Sequence, residues 1–540
     1  MRRTKLLAVV SLLALVALPA APAAAAPSAE EIRLLERAAP ITGANGLVFD
    51  GDDRLYVGSV GGREIVKMDP NSGRILARFG ADRGFEGADD VALGPDGAIY
   101  YTALFTGEVG KIGHDGGHST VATLPLGVNP ITFSDDGRLF VGLALLGDAL
   151  YEVDPTGVDP PRLINTGLGL NGFDWWAGHL YAPRMLTGTA VKIDVETGNS
   201  QMVAGGFSFP TAVDFDPAGR MYVLDSGAGE VVRVDPDTGH KTVVATLDGD
   251  PDNMAFDSRG RLFVSDNSAG SVVQVLRNGG IRPVSPGGLA GPLGLAVLGS
   301  GRGETVYAAD IFRLFGIDGR TGRTRLEVEA SITGGGGLAL PMTAGAHGSD
   351  LVLSSWFGAA VQVYDPVSGQ VEAHCPDPAA PLNAIGFGDD IIVSELGTGS
   401  VVALDETCAR TTVTSLPVPT GLATDGEDLW VADWALGMAF QIADDGEFIA
   451  PMPVASGLAG PEGLAVSPDG GLLVVESFLH RVSHIDLGTG AVTPLVEGLA
   501  LGASGPPTMP PTWTFDGIAA GPSGAVYVSA HGLYRIELER

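Results

Sequence analysis

The feature that most constrains this chain is a unit of about 43 residues that recurs about twelve times. Each copy consists of two apolar strands joined by a short polar turn, a loop, and two more strands joined by a second turn. One equivalent position near the start of each copy is occupied in turn by Gly46, Asp90, Pro130, Gly172, Ala212, Asn253, Gly294, Pro341, Ala384, Gly421, Gly463 and Gly517. Four short strands in about 40 residues is the spacing of a β-propeller blade.

The turn residues support this strand assignment independently of the repeat. The segment Gly94-Pro95-Asp96-Gly97 separates a first strand from a second strand, and Asp235-Pro236-Asp237-Thr238-Gly239 separates a third from a fourth. An early Asp, a following Pro and a closing Gly are typical of type I hairpin connections. Each unit is therefore predicted to be an antiparallel meander.

The number of units predicts two domains. Propellers usually have about four to eight blades, so about twelve units favour an all-β chain of two tandem six-bladed β-propellers over one large ring. We place the first propeller at residues 40–288 and the second at residues 289–540. Residues 26–39 contain the strand-like segment Glu31-Ile32-Arg33-Leu34-Leu35, and we predict that they close the last blade and cover its open edge.

Residues 1–25 have the pattern of a secretory signal peptide. Basic residues at the start are followed by an apolar run from Leu6 to Leu18 and by the small residues Ala23-Ala24-Ala25. The apolar run is short for a membrane span. We therefore expect a soluble protein that is secreted or periplasmic, with no membrane anchor.

The charge of the chain limits its partners. The net charge is −32, and no basic patch offsets it. A field of this sign repels nucleic acid and anionic membranes and attracts cations, although it also serves solubility. We expect a small-molecule substrate or ligand, and the oligomeric state stays open.

The pairing of the two cysteines, Cys375 and Cys408, stays open, and the sequence does not favour a bond between them. An exported protein can form disulfides. However, Cys375 lies near the end of a predicted outer strand, and Cys408 lies in the turn before the outer strand of the next blade. These positions are expected at opposite ends of their blades, beyond bonding range.

Polar side chains recur where the strands meet the mouth of each predicted channel. They precede the first strands of the first half as Asn45, Asp89, Asn129, Asn171, Thr211 and Asp252. The equivalent positions of the second half hold Leu293, Leu340, Asn383, Thr420, Glu462 and Asp516. Polar side chains also end the second strands as Asp225, Asp266, Asp310, Glu395, Asp433 and Glu476. Such oxygen donors suit Ca²⁺ better than zinc. The alternative is that they are ordinary turn residues that accept hydrogen bonds from loop N–H groups.

Five aromatic residues are also predicted near the channel mouths. They are Phe105, Phe312, Trp356, Trp434 and Phe478. They are candidates for the wall of a ligand pocket, and the alternative is that they only cover the bases of loops.

Three short segments carry a resemblance to a known family. Asn171-Gly172-Phe173-Asp174-Trp175, Glu462-Gly463-Leu464-Ala465 and Asp516-Gly517-Ile518-Ala519 resemble the senescence marker protein/gluconolactonase/luciferin-regenerating family, and the repeats are also similar to NHL repeats. In that family, residues at these positions bind a central calcium ion, and an Asp is implicated as general base in lactone hydrolysis.

The resemblance implies specific roles for residues of this chain. Calcium ligands are implied at Asn129, Asn171 and Asp252 in the first ring and at Asn383, Glu462 and Asp516 in the second, with Asp252 or Asp516 as catalytic base. The first half has Asn45 and Asp89 where the family pattern has a Glu, and we include both as candidate ligands. The chain departs from the family in having twice the number of blades and in lacking its order of ligands in either half.

Two functions follow from these observations. One is a secreted calcium-dependent lactonase or esterase of the gluconolactonase type. The other is a non-catalytic propeller scaffold that binds a protein, glycan or small ligand.

Overall fold

A computed structural model describes residues 27–85, 87–113, 115–291, 293–300, 303–310, 312–329, 337–376, 378–502, 505 and 514–539. The predicted signal peptide, residues 1–25, lies outside the described residues. The chain forms twelve four-stranded antiparallel sheets. These sheets are arranged as two six-bladed rings, which confirms the predicted all-β tandem propeller. Within the described part of the chain, no helix combines the length and hydropathy needed to cross a bilayer.

The chain begins with one outer strand and then forms the first ring. The strands are β1 (Ala29–Glu36); β2 (Ala44–Phe49), β3 (Leu55–Ser59), β4 (Glu64–Met68), β5 (Ile75–Phe79); β6 (Val91–Leu93), β7 (Ile99–Ala103), β8 (Glu108–Ile112), β9 (His118–Thr123); β10 (Val128–Phe133), β11 (Leu139–Leu143), β12 (Ala149–Val153), β13 (Arg162–Thr166); β14 (Asp174–Trp176), β15 (His179–Arg184), β16 (Thr189–Ile193), β17 (Ser200–Gly205); β18 (Pro210–Phe215), β19 (Met221–Asp225), β20 (Glu230–Val234), β21 (Lys241–Thr246); and β22 (Pro251–Phe256), β23 (Leu262–Asp266), β24 (Ser271–Val275), β25 (Ile281–Ser285).

The second ring follows directly. Its strands are β26 (Leu295–Ser300), β27 (Gly303–Asp310), β28 (Arg313–Asp318), β29 (Thr324–Glu329); β30 (Thr343–His347), β31 (Asp350–Ser355), β32 (Ala360–Asp365), β33 (Gln370–Pro376); β34 (Pro381–Phe387), β35 (Asp390–Glu395), β36 (Ser400–Leu404), β37 (Arg410–Ser415); β38 (Pro419–Thr424), β39 (Leu429–Asp433), β40 (Met438–Asp444), β41 (Glu447–Ser456); β42 (Pro461–Val466), β43 (Leu472–Glu476), β44 (Arg481–Ile485), β45 (Val492–Glu497); and β46 (Ile518–Ala520), β47 (Val526–Ala530), β48 (Gly532–Leu538).

The burial of each strand reflects its distance from the ring axis. All residues of β3 are buried, whereas the outer strand β21 is mostly exposed. Inner strands are covered on both faces by neighbouring blades and are therefore almost entirely apolar apart from their ends. The hydrophobic core lies between successive blades, and in the first ring it includes the contact that joins the first blade to the sixth, where the Phe49 and Phe263 ring centroids are 5.1 Å apart.

The last blade of the second ring is completed by the N-terminal strand. Strand β1 pairs antiparallel with β48, from Ala29 opposite Leu538 to Glu36 opposite Leu533. Leu35 packs against the hydrophobic cluster between this blade and the blade of β26–β29. The N-terminal segment therefore covers what would otherwise be an open sheet edge.

The two cysteines are bonded to each other, so the expectation that they lie at opposite ends of their blades was wrong. Cys375 and Cys408 form a disulfide with a Cα–Cα distance of 5.5 Å. The reason is a contact repeated around both rings, in which the turn between the third and fourth strands of one blade packs on the fourth strand of the blade before it. Gly239 lies against the Val203 carbonyl in this way. The twist of each blade brings these elements together.

Candidate functional site

The six polar residues predicted at the mouth of the first ring line a single cavity. The cavity encloses about 1080 Å³, part of it open to solvent. Its polar lining includes Asn45, Asp89, Asn129, Asn171, Thr211 and Asp252, one from each blade, and Asp250. The closed ring thus brings together side chains that are far apart in sequence.

The close approach of the first strands positions these side chains. The Gly46 N–H donates to the Asp89 carbonyl at 2.9 Å, and the Val213 N–H donates to the Gly172 carbonyl at 2.8 Å. A Cβ atom at Gly46 would lie 2.5 Å from the Asp90 Cα atom, so only glycine fits there. The Asn-Gly dipeptides found in the sequence therefore combine a polar side chain at the mouth with a glycine that lets adjacent blades meet.

Three oxygen atoms of the cavity lining are buried and have no hydrogen-bond partner among the described residues. They are Asp89 Oδ2, Asn129 Oδ1 and Thr211 Oγ1, from side chains of residues that are only 2%, 5% and 2% exposed. Asn171 differs, because its Nδ2 donates to Met185 Sδ at 3.4 Å. A buried oxygen without a partner costs about 1–3 kcal/mol. These atoms are therefore available to a ligand.

The carboxyl groups of the cavity have raised pKa values. Burial raises the pKa of Asp252 to about 7, and the Asp266 charge adds to the shift. Burial, with the Asp252 and Asp266 charges, raises the pKa of Asp250 to about 8. The pKa of Asp89 is also raised well above its ordinary value by burial and then by the charges of Asp252 and Asp90. The cavity therefore holds negative charge at a cost that a bound cation would relieve.

The ligand set of a metal ion here would have to be mixed. Among the described residues, no three Asp, Glu, His or Cys side chains are grouped closely enough to hold an ion by themselves. An ion at the first-ring mouth would use Asp89 and Asp252 together with amide and hydroxyl oxygens. Hard cations such as Ca²⁺ accept this combination of oxygen ligands.

The second ring does not repeat this arrangement. The Asn383 Oδ1 atom accepts the Leu422 N–H at 3.0 Å, and the strand register aligns Asn383 with Asn253, one position beyond Asp252. The aligned residue at the mouth is Leu382, so the sequence alignment of this blade was wrong by one residue. Met342, and not Leu340, takes the same position one blade earlier, because the Gly294 N–H donates to its carbonyl. Half of the second-ring mouth positions are therefore apolar.

Glu462 and Asp516 form a pair in the second ring. The Asp516 N–H donates to Glu462 Oε2 at 2.7 Å, and Asp516 Oδ2 accepts the Gly502 N–H at 2.6 Å. Burial raises the pKa of Glu462 to about 7, and burial followed by the Glu462 charge raises the pKa of Asp516. Asp516 lines a separate cavity that includes His531, and it is not part of the first-ring cavity.

The acidic residues at the ends of second strands anchor loops. Asp225 accepts the Phe209 N–H at 2.8 Å, and Asp310 accepts the Gly291 N–H at 2.6 Å. Asp266, Glu395, Asp433 and Glu476 likewise accept loop N–H groups of their own blades. Each acidic side chain holds either the segment that leads into the first strand of its own blade or the loop that follows the acidic residue. Accepting hydrogen bonds from loop N–H groups is the alternative role that the sequence suggested for these residues.

Three of the five predicted aromatic residues line the first-ring cavity. Phe105, Phe312 and Trp356 are in its wall. Trp434 and Phe478 instead pack against each other, with ring centroids 5.2 Å apart, outside this cavity. Phe209, Phe357 and Asp250 also line this cavity and were not predicted from the sequence. Their proximity to Pro210, Trp356 and Asp252 in the sequence was the signal that could have identified them.

The carboxyl groups at the mouth predict a pH-dependent stability in the absence of metal. The folded protein holds the Asp250 and Asp252 protons up to pKa values of about 8 and about 7, well above the ordinary pKa of 3.8 for an Asp side chain. Their contribution to stability is complete below about pH 4 and is lost as the pH rises through about 7 to 8. We expect the melting temperature measured in chelator to fall over this range, and to fall less in Asp252→Asn. An equal slope in the variant would contradict this prediction.

No family model and no curated protein matches the chain. Among solved structures, a virginiamycin B lyase from Staphylococcus aureus is 14% identical, with 52% of this chain and 96% of that one covered and a TM-score of 0.37. A gluconolactonase from Xanthomonas campestris is 16% identical, with 45% and 92% covered and a TM-score of 0.36. A GH74 xyloglucanase from Xanthomonas campestris is 11% identical, with 94% and 100% covered and a TM-score of 0.48. At these sequence identities and TM-scores, the similarity to the solved structures assigns no activity to this chain. The fold assignment rests on the twelve four-stranded sheets themselves.

Proposed function

We propose that this chain is an exported calcium-dependent lactonase or esterase whose active site is the cavity at the mouth of the first ring. The observation that carries the proposal is a set of three buried oxygens, from Asp89, Asn129 and Thr211, that have no hydrogen-bond partner among the described residues, together with the raised pKa values of Asp89 and Asp252. Export is proposed from the signal-peptide pattern of residues 1–25. The resemblance to the gluconolactonase family, seen in the sequence, points to the same chemistry.

The chemistry of the lining fits calcium. Asp89 and Asp252 supply negative charge, while Asn129 and Thr211 supply neutral oxygens from other blades. Calcium takes about six to eight oxygen ligands of these kinds and tolerates irregular geometry. When bound, it would polarise a substrate carbonyl and stabilise negative charge on the carbonyl oxygen.

Asp252 is the proposed general base. Without the ion, burial and the Asp266 charge raise the pKa of Asp252 to about 7, and a bound cation would lower it, so that the carboxylate is the form present near neutral pH and can accept a proton. A water molecule attacks the carbonyl carbon of the ester or lactone while Asp252 accepts its proton. The carbon–oxygen bond then breaks, and the same proton passes to the departing alkoxide. The products are a carboxylic acid and an alcohol, joined in one molecule if the substrate is a lactone.

The first experiment measures calcium binding and hydrolysis together. Protein stripped with chelator is titrated calorimetrically with calcium and is assayed on a panel of aryl esters and lactones. We expect hydrolysis that is lost in chelator and restored by calcium. Calcium at about 100 times its Kd should add about 2.7 kcal/mol to the free energy of unfolding. At one fixed calcium concentration, the gain should be larger at about pH 8 than at about pH 5, because protons compete for the same oxygens and raise the Kd.

The outcome also decides between the two functions considered. Hydrolysis that is indifferent to chelator contradicts the calcium-dependent mechanism. Absence of both calcium binding and hydrolysis across the panel favours the non-catalytic scaffold.

A further inference from the structure

The wall of the first-ring cavity is built by both rings. The first ring contributes Leu104 and Phe105 from the loop between β7 and β8, and Phe209 from the segment before β18. The second ring contributes Phe312, Met342 and Trp356 from loops at its own mouth. The polar base of the cavity therefore belongs to one propeller, whereas its apolar wall is shared.

The two rings are in direct contact along this wall. The ring centroids of Phe105 and Phe357 are 6.5 Å apart with planes at 88°, which is an edge-to-face contact. Trp356 packs against the buried pair Leu104 and Phe105. These contacts hold the second ring over the mouth of the first.

Part of this apolar surface remains exposed to the cavity. Phe357 is 37% exposed and Leu145 is 47% exposed, and both line the cavity. Apolar surface left open beside buried polar groups is characteristic of small-molecule sites. A ligand that fills the space would cover this surface and remove it from water.

We propose that the ligand of this cavity carries an aromatic or branched-alkyl group that lies against the wall shared by the two rings. The identity of the reacting bond rests on the proposed function, in which the substrate is an ester or a lactone. That substrate then carries a bulky apolar substituent. The second ring then acts as a specificity element for a reaction carried out in the first.

The chemistry of the wall argues against a polyhydroxylated sugar lactone. Every hydroxyl group removed from water requires a hydrogen-bond partner. The side chains of Phe105, Phe209, Phe312, Met342 and Trp356 offer no hydroxyl, amide or carboxylate to such a substrate; the indole N–H of Trp356 is the single polar group among them. An apolar substituent needs no partners and gains from burial.

The test compares substrates and wall variants in the full-length mature protein. The substrates are an alkyl-substituted δ-lactone and glucono-1,5-lactone, and the neutral dye N-phenyl-1-naphthylamine reports binding without chemistry. Trp356→Ala and Phe312→Ala are the wall variants. Trp434→Ala and Phe478→Ala are matched controls, because these second-ring aromatic residues pack against each other outside the cavity. Calcium affinity is measured for each protein.

We expect the wild type to prefer the alkyl lactone in kcat/KM. Each wall variant should lower that value and the dye affinity by about 10-fold or more, with calcium affinity unchanged. The controls should match the wild type. Hydrolysis that prefers gluconolactone, or that ignores the wall variants, overturns the inference and leaves the proposed function standing.

Failure of the proposed function gives a different pattern. One outcome is that neither calcium binding nor hydrolysis is detected, but the dye binds the wild type and binds Trp356→Ala and Phe312→Ala about 10-fold more weakly. That outcome supports the inferred class of ligand and contradicts the proposed hydrolase activity. Absence of dye binding to the wild type overturns the inference whatever the activity.

Discussion

Replacing Asp252 with Asn is expected to lower kcat/KM by about 100-fold or more for the best ester or lactone substrate. The amide keeps the shape of the side chain and cannot accept a proton from water. Asp89→Asn should instead act mainly on calcium, lowering its affinity by about 100-fold through the loss of a charged ligand. The measurements are steady-state kinetics at saturating calcium and calorimetric calcium titration.

Loss of activity must be separated from loss of folding. The Asp252 charge raises the pKa values of Asp89 and Asp250, and the Asp266 charge raises those of Asp250 and Asp252. A neutral amide removes part of this repulsion, so the calcium-free Asp252→Asn protein should be at least as stable as the wild type at about pH 8.

The comparison with Asp516→Asn identifies the ring that acts. Asp516 is a buried acid at the mouth of the second ring and lines a separate cavity. We expect this variant to retain most of the activity. If Asp516→Asn abolishes hydrolysis and Asp252→Asn does not, the active site lies in the second ring and the proposal for the first ring is wrong.

Deleting Ala29–Glu36 is expected to lower the melting temperature by about 10 °C. The deletion removes β1 and leaves the backbone of β48 unpaired along its outer edge. Each lost backbone hydrogen bond contributes about 0.5–1.5 kcal/mol, so the total is about 4 kcal/mol or more. The packing of Leu35 between the last blade and its neighbour is lost as well.

A peptide of residues 27–38 provides the control for this deletion. Added in excess to the truncated protein, it should pair with β48 and recover part of the lost melting temperature. A version with proline in place of Ile32 and Leu34 should not, because proline cannot donate to the ladder. An unchanged melting temperature after deletion would show that ring closure does not depend on β1.

The repeat and its turns were sufficient to predict the architecture. Strand period, turn residues and spacing are local properties, and all twelve units express them. The six polar residues of the first ring were identified for the same reason, since each occupies the same place in its own blade. The calcium ligand set and the catalytic role of Asp252 stay predictions.

The errors arose where the structure depends on contacts between blades. Asn383 was aligned one position late because its side chain is polar, but its Oδ1 atom accepts the Leu422 N–H of the next blade and does not lie at the mouth position, which Leu382 occupies. Cys375 and Cys408 were expected at opposite ends of their blades, and the contact that joins them, between the fourth strand of one blade and a turn of the next, forms only when the blades assemble.

The sequence by itself determined the two six-bladed rings and the polar residues that begin the inner strands of the first ring. Both follow from patterns repeated within single units. Only the tertiary structure decided that the first ring gathers its six polar residues into one cavity, that Glu462 and Asp516 hydrogen-bond to each other, and that aromatic residues of the second ring cover the first. The physical reason is that the burial and the hydrogen-bond partners of a side chain depend on which blades face each other. Contacts between loops that are far apart in the sequence determine this arrangement.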